Sequence, residues 1–263
     1  MSKPRPPAGE TTTLDWLMGG QLAIRQPVAG HRGGTDTLLL AAAAPQRSGV
    51  LVDMGAGVGT AGLAVARRGG CENLVLVEIQ PELAELAHEN IERNGLSGLA
   101  QAVTADVLTA AGRRAGGLTN GMAEAVIANP PYLTPGRSQT SPDASRALAH
   151  SLSDGGIEAW LRAASALLRP GGSFAVIQRT DALQALLAAC GSRFGALEIW
   201  PIYPKAGEPS HRIILRGIKG SRAPLCVMPP VILHEADGVF TPHALALHEG
   251  RALLGPGGTQ ESS

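Results

Sequence analysis

Aromatic residues make up 3% of the 263 positions, too few for a sheet that binds its partner through a row of stacking rings. Neither sign of charge is in excess. Lys and Arg number 22, and so do Asp and Glu. That balance argues against a nucleic-acid binder working through overall positive charge, while leaving room for a local basic patch. Cysteine is scarce. Cys71, Cys190 and Cys226 stand far apart with no C-x-x-C pair, so neither a zinc site nor a disulfide framework is expected. Buried or half-buried thiols are expected instead. No apolar run approaches the ~20 residues of a membrane-spanning helix. Met1–Glu10 is polar and proline-rich, without the apolar stretch of a secretory signal. These absences predict a soluble protein of the reducing cytoplasm, with no metal.

Glycine (34) and proline (19) are plentiful, which predicts many tight turns. Between polar ends (1–13 and 255–263, both read as disordered) the chain alternates short apolar runs with helical patterns. Strands are expected at Val50–Asp53, Leu74–Val77, Ala102–Ala105, Ala125–Ala128 and Ser173–Gln178. Helices are expected at Thr60–Arg68, Pro81–Asn94, Gly156–Leu168 and Asp181–Cys190. Pro81 sits in a first turn and Asn94-Gly95 forms a stop, and Asp181 is read as a cap. Ala196–Tyr203 and His211–Ile218 read as two last strands joined by a hairpin-like reversal through Pro204–Pro209. This order predicts an α/β fold: a seven-stranded, mostly parallel sheet with helices on both faces and its last strand antiparallel. Upstream, Leu14–Arg25 suggests a small hairpin turning at Gly19-Gly20. A short helix is expected over Thr37–Ala44, with Asp36 at its start. Downstream, Asp237-Gly238 marks a hairpin turn, and Thr241-Pro242 opens a last helix.

Two motifs carry chemistry. Asp53-Met54-Gly55-Ala56-Gly57-Val58-Gly59-Thr60 joins the first of these strands to its helix. Glycines let a backbone pass close to a ligand, and the helix start favours negative groups. A dinucleotide loop would read G-x-G-x-x-G; here the place of its last glycine is Thr60. Glu78 closes the next strand, 19 positions after Gly59, where an acid can accept from ribose hydroxyls. Asp106 closes the third strand, where a carboxylate can take a hydrogen bond from an adenine amine; a turn aspartate is the plainer alternative. The second motif is Asn129-Pro130-Pro131-Tyr132, at the end of the fourth strand. Proline fixes φ and has no N–H, so the segment is stiff and its carbonyls lack local partners. The Asn129 side-chain oxygen and the Pro130 carbonyl can accept both hydrogens of an exocyclic amine, and Tyr132 can stack on the ring that bears it.

With these residues in this order, over roughly Leu14–Gly250, the chain resembles the Rossmann-like class I S-adenosylmethionine-dependent methyltransferases. Within them it resembles the amino-methyltransferases with an N-P-P-Y motif, and most nearly the bacterial tRNA1(Val) adenine-37 N6-methyltransferase group. Gln26-Pro27, Arg32–Asp36, Ser221–Pro224 and Leu233–Gly238 share in the likeness. The resemblance implies S-adenosyl-L-methionine as cofactor. It implies that Asp53, Gly55, Gly57 and Gly59 shape the methionine and ribose pocket, Glu78 holds the ribose and Asp106 the adenine. Thr35 and Asp36 would border the methionine moiety. Asn129, Pro130 and Tyr132 would hold the target, an adenine N6 in tRNA. By the same reading 1–45 is an extension packed on the cofactor site, 46–220 the methyltransferase domain, and 221–263 a hairpin, helix and tail of the same domain.

Phosphate contacts are expected from among Lys3, Arg5, Arg113, Arg114, Lys205, Arg212, Arg216, Lys219 and Arg222, of which Arg212 and Arg216 should share one face of their strand and Lys219 the other. No strong base is needed, and His31 and His150 are read as surface or loop residues. The N-P-P-Y clamp does not separate adenine from guanine N2 in rRNA or from a protein glutamine. A nicotinamide-dependent oxidoreductase fits neither the glycine spacing nor the clamp, and a non-catalytic RNA-binding protein would not need Asn129 and Glu78 intact.

Overall fold

The computed structural model describes residues 11–28, 33–46, 48–131 and 156–255. In chain order the elements are β1 (Thr12–Leu17), β2 (Leu22–Pro27), α1 (Thr35–Ala43), β3 (Ser48–Met54), α2 (Thr60–Arg67), β4 (Cys71–Glu78), α3 (Pro81–Arg93), β5 (Ala100–Thr104), α4 (Ala110–Ala115), β6 (Ala123–Ala128), α5 (Ile157–Leu167), β7 (Leu168–Arg179), α6 (Leu183–Cys190), β8 (Phe194–Lys205), β9 (Arg212–Lys219), β10 (Cys226–Val227), β11 (Val231–His234) and α7 (Pro242–His248).

The main sheet runs β10-β8-β9-β7-β6-β3-β4-β5, with β11 also on β8. Strands β3 to β8 run parallel, and β9 lies antiparallel between β7 and β8. The seven expected strands are therefore present, with the last one reversed. The sheet is wider than expected, with nine strands. Val231–His234 does not stand apart in a tail hairpin but pairs with β8, as does Cys226–Val227. An uncovered β8 would present a row of unpaired backbone groups, and the C-terminal segment closes that edge. Asp237-Gly238 still makes its turn, with Gly238 at φ 90°.

Alternation along the strands sorts the core into two layers. Leu51, Leu74, Ile127, Ile177 and Ile214 face one side, packed with α1, α2, α3 and α7. Val52, Val75, Val126, Val176 and Leu215 face the other, under α5 and α6. Successive residues point to opposite faces, so a sheet covered on both sides needs continuous apolar runs, and Val-Leu-Val and Ala-Val-Ile-Ala supply them. Two starts differ from expectation. α1 begins at Thr35 after Gly34, so Asp36 sits within its first turn. Asp181 does not cap α6; it lies in a 3-10 turn and receives Arg179 at 2.6 Å. Cys71 and Cys190 are buried free thiols, both pushed up to about 11 by burial, whereas Cys226 is exposed.

The β1–β2 hairpin begins at Thr12, inside the stretch read as disordered, and it is docked by two side-chain amides of α3. Asn90 accepts from the Arg25 N–H (2.7 Å) and donates to the Arg25 and Val58 carbonyls (2.9 and 3.0 Å). Asn94 accepts from the Ala23 N–H (3.0 Å) and donates to its carbonyl (2.7 Å). Two amides one turn apart thus meet alternate residues of β2 as a neighbouring strand would, and Asn90 ties both to the glycine loop at Val58. Asn90→Ala leaves three backbone groups unpaired, the Val58 carbonyl buried and the two of Arg25 partly so, and should cost about 2–4 kcal/mol. Thermal unfolding should show a fall of roughly 5–12 °C; a fall within error would mean that water replaces the amide.

Candidate active site

Parallel neighbours end at the same edge of a sheet, and the order β5-β4-β3-β6 therefore brings four strand ends together. The glycine loop leaves β3, Glu78 ends β4, Asp106 follows β5, and Asn129 follows β6. The loop turns through Gly55, Gly57 and Gly59 at φ 67°, 56° and 87°. Gly55 is closed from below, where a Cβ would lie 2.6 Å from the Trp160 ring of α5. Gly57 is open, since a Cβ there would meet nothing within 4 Å. That open backbone is the room a ligand needs beside Glu78.

Glu78 is buried and built into the loop. Its Oε2 accepts from the Gly57 N–H at 2.8 Å, and its Oε1 from the Ile79 and Gln80 N–H groups at 2.9 and 3.0 Å. A carboxylate has about four acceptor positions, which leaves one for a ligand hydroxyl. Asp106 uses Oδ1 in an Asx turn to the Leu108 N–H (3.0 Å), the plainer role, while its other oxygen stays available. Asp53 is different. It is fully buried under the loop and accepts from the Gly62 N–H at 2.9 Å. Burial pushes its carboxyl up to about 7, against that hydrogen bond, with the Glu78 charge adding to the rise. Asp53 therefore ties the end of β3 to the first turn of α2.

Upstream, Gln26 is buried, donates to Asp15 at 2.6 Å and accepts from the Gly33 N–H at 2.9 Å. This sets Gly33 so close to Thr60 that a Cβ there would strike the Thr60 side chain. Thr35 opens α1 just beyond, and Asp36 is paired with Arg212 at 2.8 Å. At β6, Pro130 is buried and its carbonyl receives the Gln178 side-chain amide at 3.2 Å. Tyr132, His31, Arg32, His150, Lys3 and Arg5 lie outside the described residues.

Two buried oxygens here have no hydrogen-bond partner among the described residues: Thr60 Oγ1 at the start of α2, and Asn129 Oδ1. A buried acceptor without a donor costs about 1–3 kcal/mol, so a ligand or water that supplies one is favoured there. With the open backbone at Gly57 and the spare acceptors of Glu78 and Asp106, the donor and acceptor set fits an adenosyl ligand carrying a charged amino acid.

The comparisons agree. The description "methyltransferase small domain" matches residues 32–198, more than half of the chain. The chain belongs to the methyltransferase small domain family. Among curated relatives, a tRNA1(Val) (adenine(37)-N6)-methyltransferase of Bacteroides fragilis is 29% identical over 69% of this chain and 75% of its own length. One from Cronobacter sakazakii is 28% identical over 84% and 88%. Among solved structures, a predicted O-methyltransferase of Agrobacterium tumefaciens is 37% identical, covers 83% of this chain and 97% of its own, and superposes with a TM-score of 0.69. The Thermus thermophilus 16S rRNA N2 G1207 methyltransferase, solved with AdoMet and guanosine, shares the fold at 20% identity and a TM-score of 0.52, over 82% of this chain and 53% of its own.

Several of the basic residues make hydrogen bonds within the protein. Lys219 donates to the Ser165 and Leu168 carbonyls at 2.6 and 2.7 Å, closing the end of α5. Arg216 reaches Glu198 (3.3 Å) and the Leu254 carbonyl. Arg113 binds the Val107 and Leu108 carbonyls, and Lys205 that of Ala236. Arg212 and Arg216 do share the α1 face, and Lys219 takes the other. These side chains hold the fold together, while Arg114 and Arg222 are exposed. The sequence reading missed Gln178, Thr60 and Trp160, whose only signal was a polar or bulky residue at an element end.

The Asp53 carboxyl holds its proton more tightly folded than unfolded. Its contribution is complete below about pH 4 and is lost as pH rises through about 7. Asp53→Asn keeps the shape without the titration. Urea unfolding should show the variant gaining on the wild type by up to about 4 kcal/mol between pH 4 and 8. A pH-independent difference would mean that Asp53 is charged throughout.

Proposed function

We propose that this methyltransferase transfers a methyl group from S-adenosyl-L-methionine to an exocyclic amino nitrogen, adenine N6 of a tRNA, in the cytoplasm. The observation that carries the reading is the buried, unpartnered Asn129 Oδ1 beside the Pro130 carbonyl. An amine has two hydrogens to place, and these are two acceptors on one stiff segment. When bound, the cofactor supplies an electrophilic methyl on a sulfonium. Gly57 and Glu78 would hold its ribose, Asp106 its adenine, and Thr35, Asp36 and the Thr60 hydroxyl would border its amino acid end, above the turn that Asp53 shapes with Gly55 and Gly59. Residues 46–220 would carry this chemistry, with the described part of 1–45 on the cofactor side and the described part of 221–263 completing the same unit.

An adenine amine is a poor nucleophile because its lone pair is delocalised into the ring. Accepting both N–H hydrogens favours a pyramidal nitrogen and aims its lone pair, so rate comes from orientation and electrostatics. The proton lost after transfer is strongly acidic and needs no dedicated base. The base must leave the stacked anticodon loop to reach the clamp, and Tyr132 would restore stacking worth roughly 1–3 kcal/mol. The names of the B. fragilis and C. sakazakii relatives support tRNA adenine as target. The name of the A. tumefaciens structure suggests a hydroxyl target. A hydroxyl has one hydrogen and can meet only one of the two acceptors, whereas an amine can meet both, which favours the amine.

Asn129→Ala should lower kcat about 10²–10³-fold, with S-adenosylhomocysteine affinity, read by calorimetry, unchanged within about twofold. Undiminished turnover would remove Asn129 from catalysis. Nucleoside mass spectrometry of tRNA from cells lacking the gene should lack an N6-methyladenosine signal that the purified protein restores. A missing 2-methylguanosine or ribose-methylated nucleoside instead would redirect the assignment.

A further inference from the structure

Gln178 holds the second half of the clamp. It is the penultimate residue of β7, 4% exposed, and the register that pairs Ala128 with Val176 brings it opposite Pro130 when continued by two residues. Its Nε2 donates to the Pro130 carbonyl at 3.2 Å, and its Oε1 accepts from the Arg179 N–H at 2.9 Å. A side-chain amide can usually be turned end for end without visible change. Here a backbone N–H can only donate and a backbone carbonyl can only accept, so the orientation has one solution. Pro130 and Pro131 have no N–H to offer the neighbouring strand. The β6–β7 ladder closes at Ala128–Val176, and a side chain from β7 takes over where backbone pairing ends.

Resting on the amine-clamp reading, we propose that Gln178 is a positioning residue that orients the Pro130 carbonyl so that its remaining lone pair receives the second hydrogen of the target amine. A carbonyl oxygen has two acceptor directions. With one taken by Gln178 Nε2, the plane of the carbonyl is set and the other direction is defined relative to Asn129 Oδ1. Without that donor the carbonyl tilts, and the amine keeps only its hydrogen bond to Asn129. Both polar atoms of Gln178 are engaged with backbone, at Pro130 and Arg179, so its loss should act on turnover rather than on cofactor binding.

The test uses Gln178→Glu in the full chain, assayed on unmodified tRNA transcript from pH 6 to 9. The protonated acid can donate to Pro130 as the amide does; the carboxylate cannot, and it repels the carbonyl. Both forms still accept from Arg179. Burial pushes a carboxyl upward from its ordinary range. The ratio of variant to wild-type kcat should therefore be near unity at pH 6 and fall about 10–10²-fold toward pH 9, with S-adenosylhomocysteine affinity unchanged. Gln178→Met, of similar size with no donor, should lower kcat at every pH and leave KM for cofactor and RNA in place; it also serves should the Glu variant not fold. A packing role alone would lower the melting temperature without a pH-dependent ratio. A ratio near unity at every pH, or full kcat in Gln178→Met, while Asn129→Ala is inactive, overturns this inference and leaves the clamp standing. Full turnover in Asn129→Ala overturns the clamp reading and this inference together.

Discussion

Two consecutive prolines at the end of β6 leave the backbone with carbonyls and no N–H groups, and much of the site follows from that shortage. The parallel ladder to β7 ends at Ala128–Val176, and beyond Asn129 neither Pro130 nor Pro131 can donate to it. The freed segment stays at the sheet edge because Pro130 is buried and its carbonyl is held by Gln178. What remains is a stiff segment whose proline carbonyls lack local partners, beside a loop whose N–H groups at Ala56, Gly57 and Gly59 are paired within the protein and whose backbone is open at Gly57.

The supports around this rim are mostly polar side chains acting as surrogate backbone. Asn90 and Asn94 stand in for a strand along β2, Gln26 seats Gly33, and Gln178 extends β7. Each is a neutral amide, which both donates and accepts and carries no cost of burying charge. The charged groups are used at element ends instead. Lys219 closes α5, Arg68 donates to the Ala41 and Ala44 carbonyls at the end of α1, and Arg113 binds the turn before α4. In the described part of the chain, several of the cations that a sequence reading assigns to phosphate are thus engaged inside the protein. Counting basic residues overstates the charge available to a nucleic acid.

The strands were legible because buried parallel strands need unbroken apolar runs, and Val50–Asp53, Leu74–Val77 and Ala125–Ala128 contain nothing else before their polar ends. Helix α3 was legible from Pro81 and the Asn94-Gly95 stop. The short α4 was not. Ala110–Ala115 contains a glycine and no apolar face, and Thr109 holds its first turn by accepting from Gly112 at 3.0 Å. Nor was the pairing of β10 and β11 with β8, since two to four residues carry too little pattern to name a partner. Among site residues, the glycine loop, Glu78, Asp106 and Asn129 could be named because each ends a strand in a fixed order. Asp53 could be named but its place under the loop could not, because alternation tells only which face a residue takes and not what covers it.

The linear order of residues determined the layers, the strand directions and the identity of the chemistry. Periodicity and chain-breaking residues are local properties, and a parallel sheet turns the order of strand ends into a line of functional groups. Tertiary structure alone decided which polar atoms have partners. Whether Arg212 meets a phosphate or Asp36, whether the Pro130 carbonyl is free or held by Gln178, and whether Asn129 Oδ1 is left unpaired all depend on registers between segments far apart in the chain. A hydrogen bond fails over a shift of about an ångström, so no pattern of residue types can specify it without the packing that sets the distance.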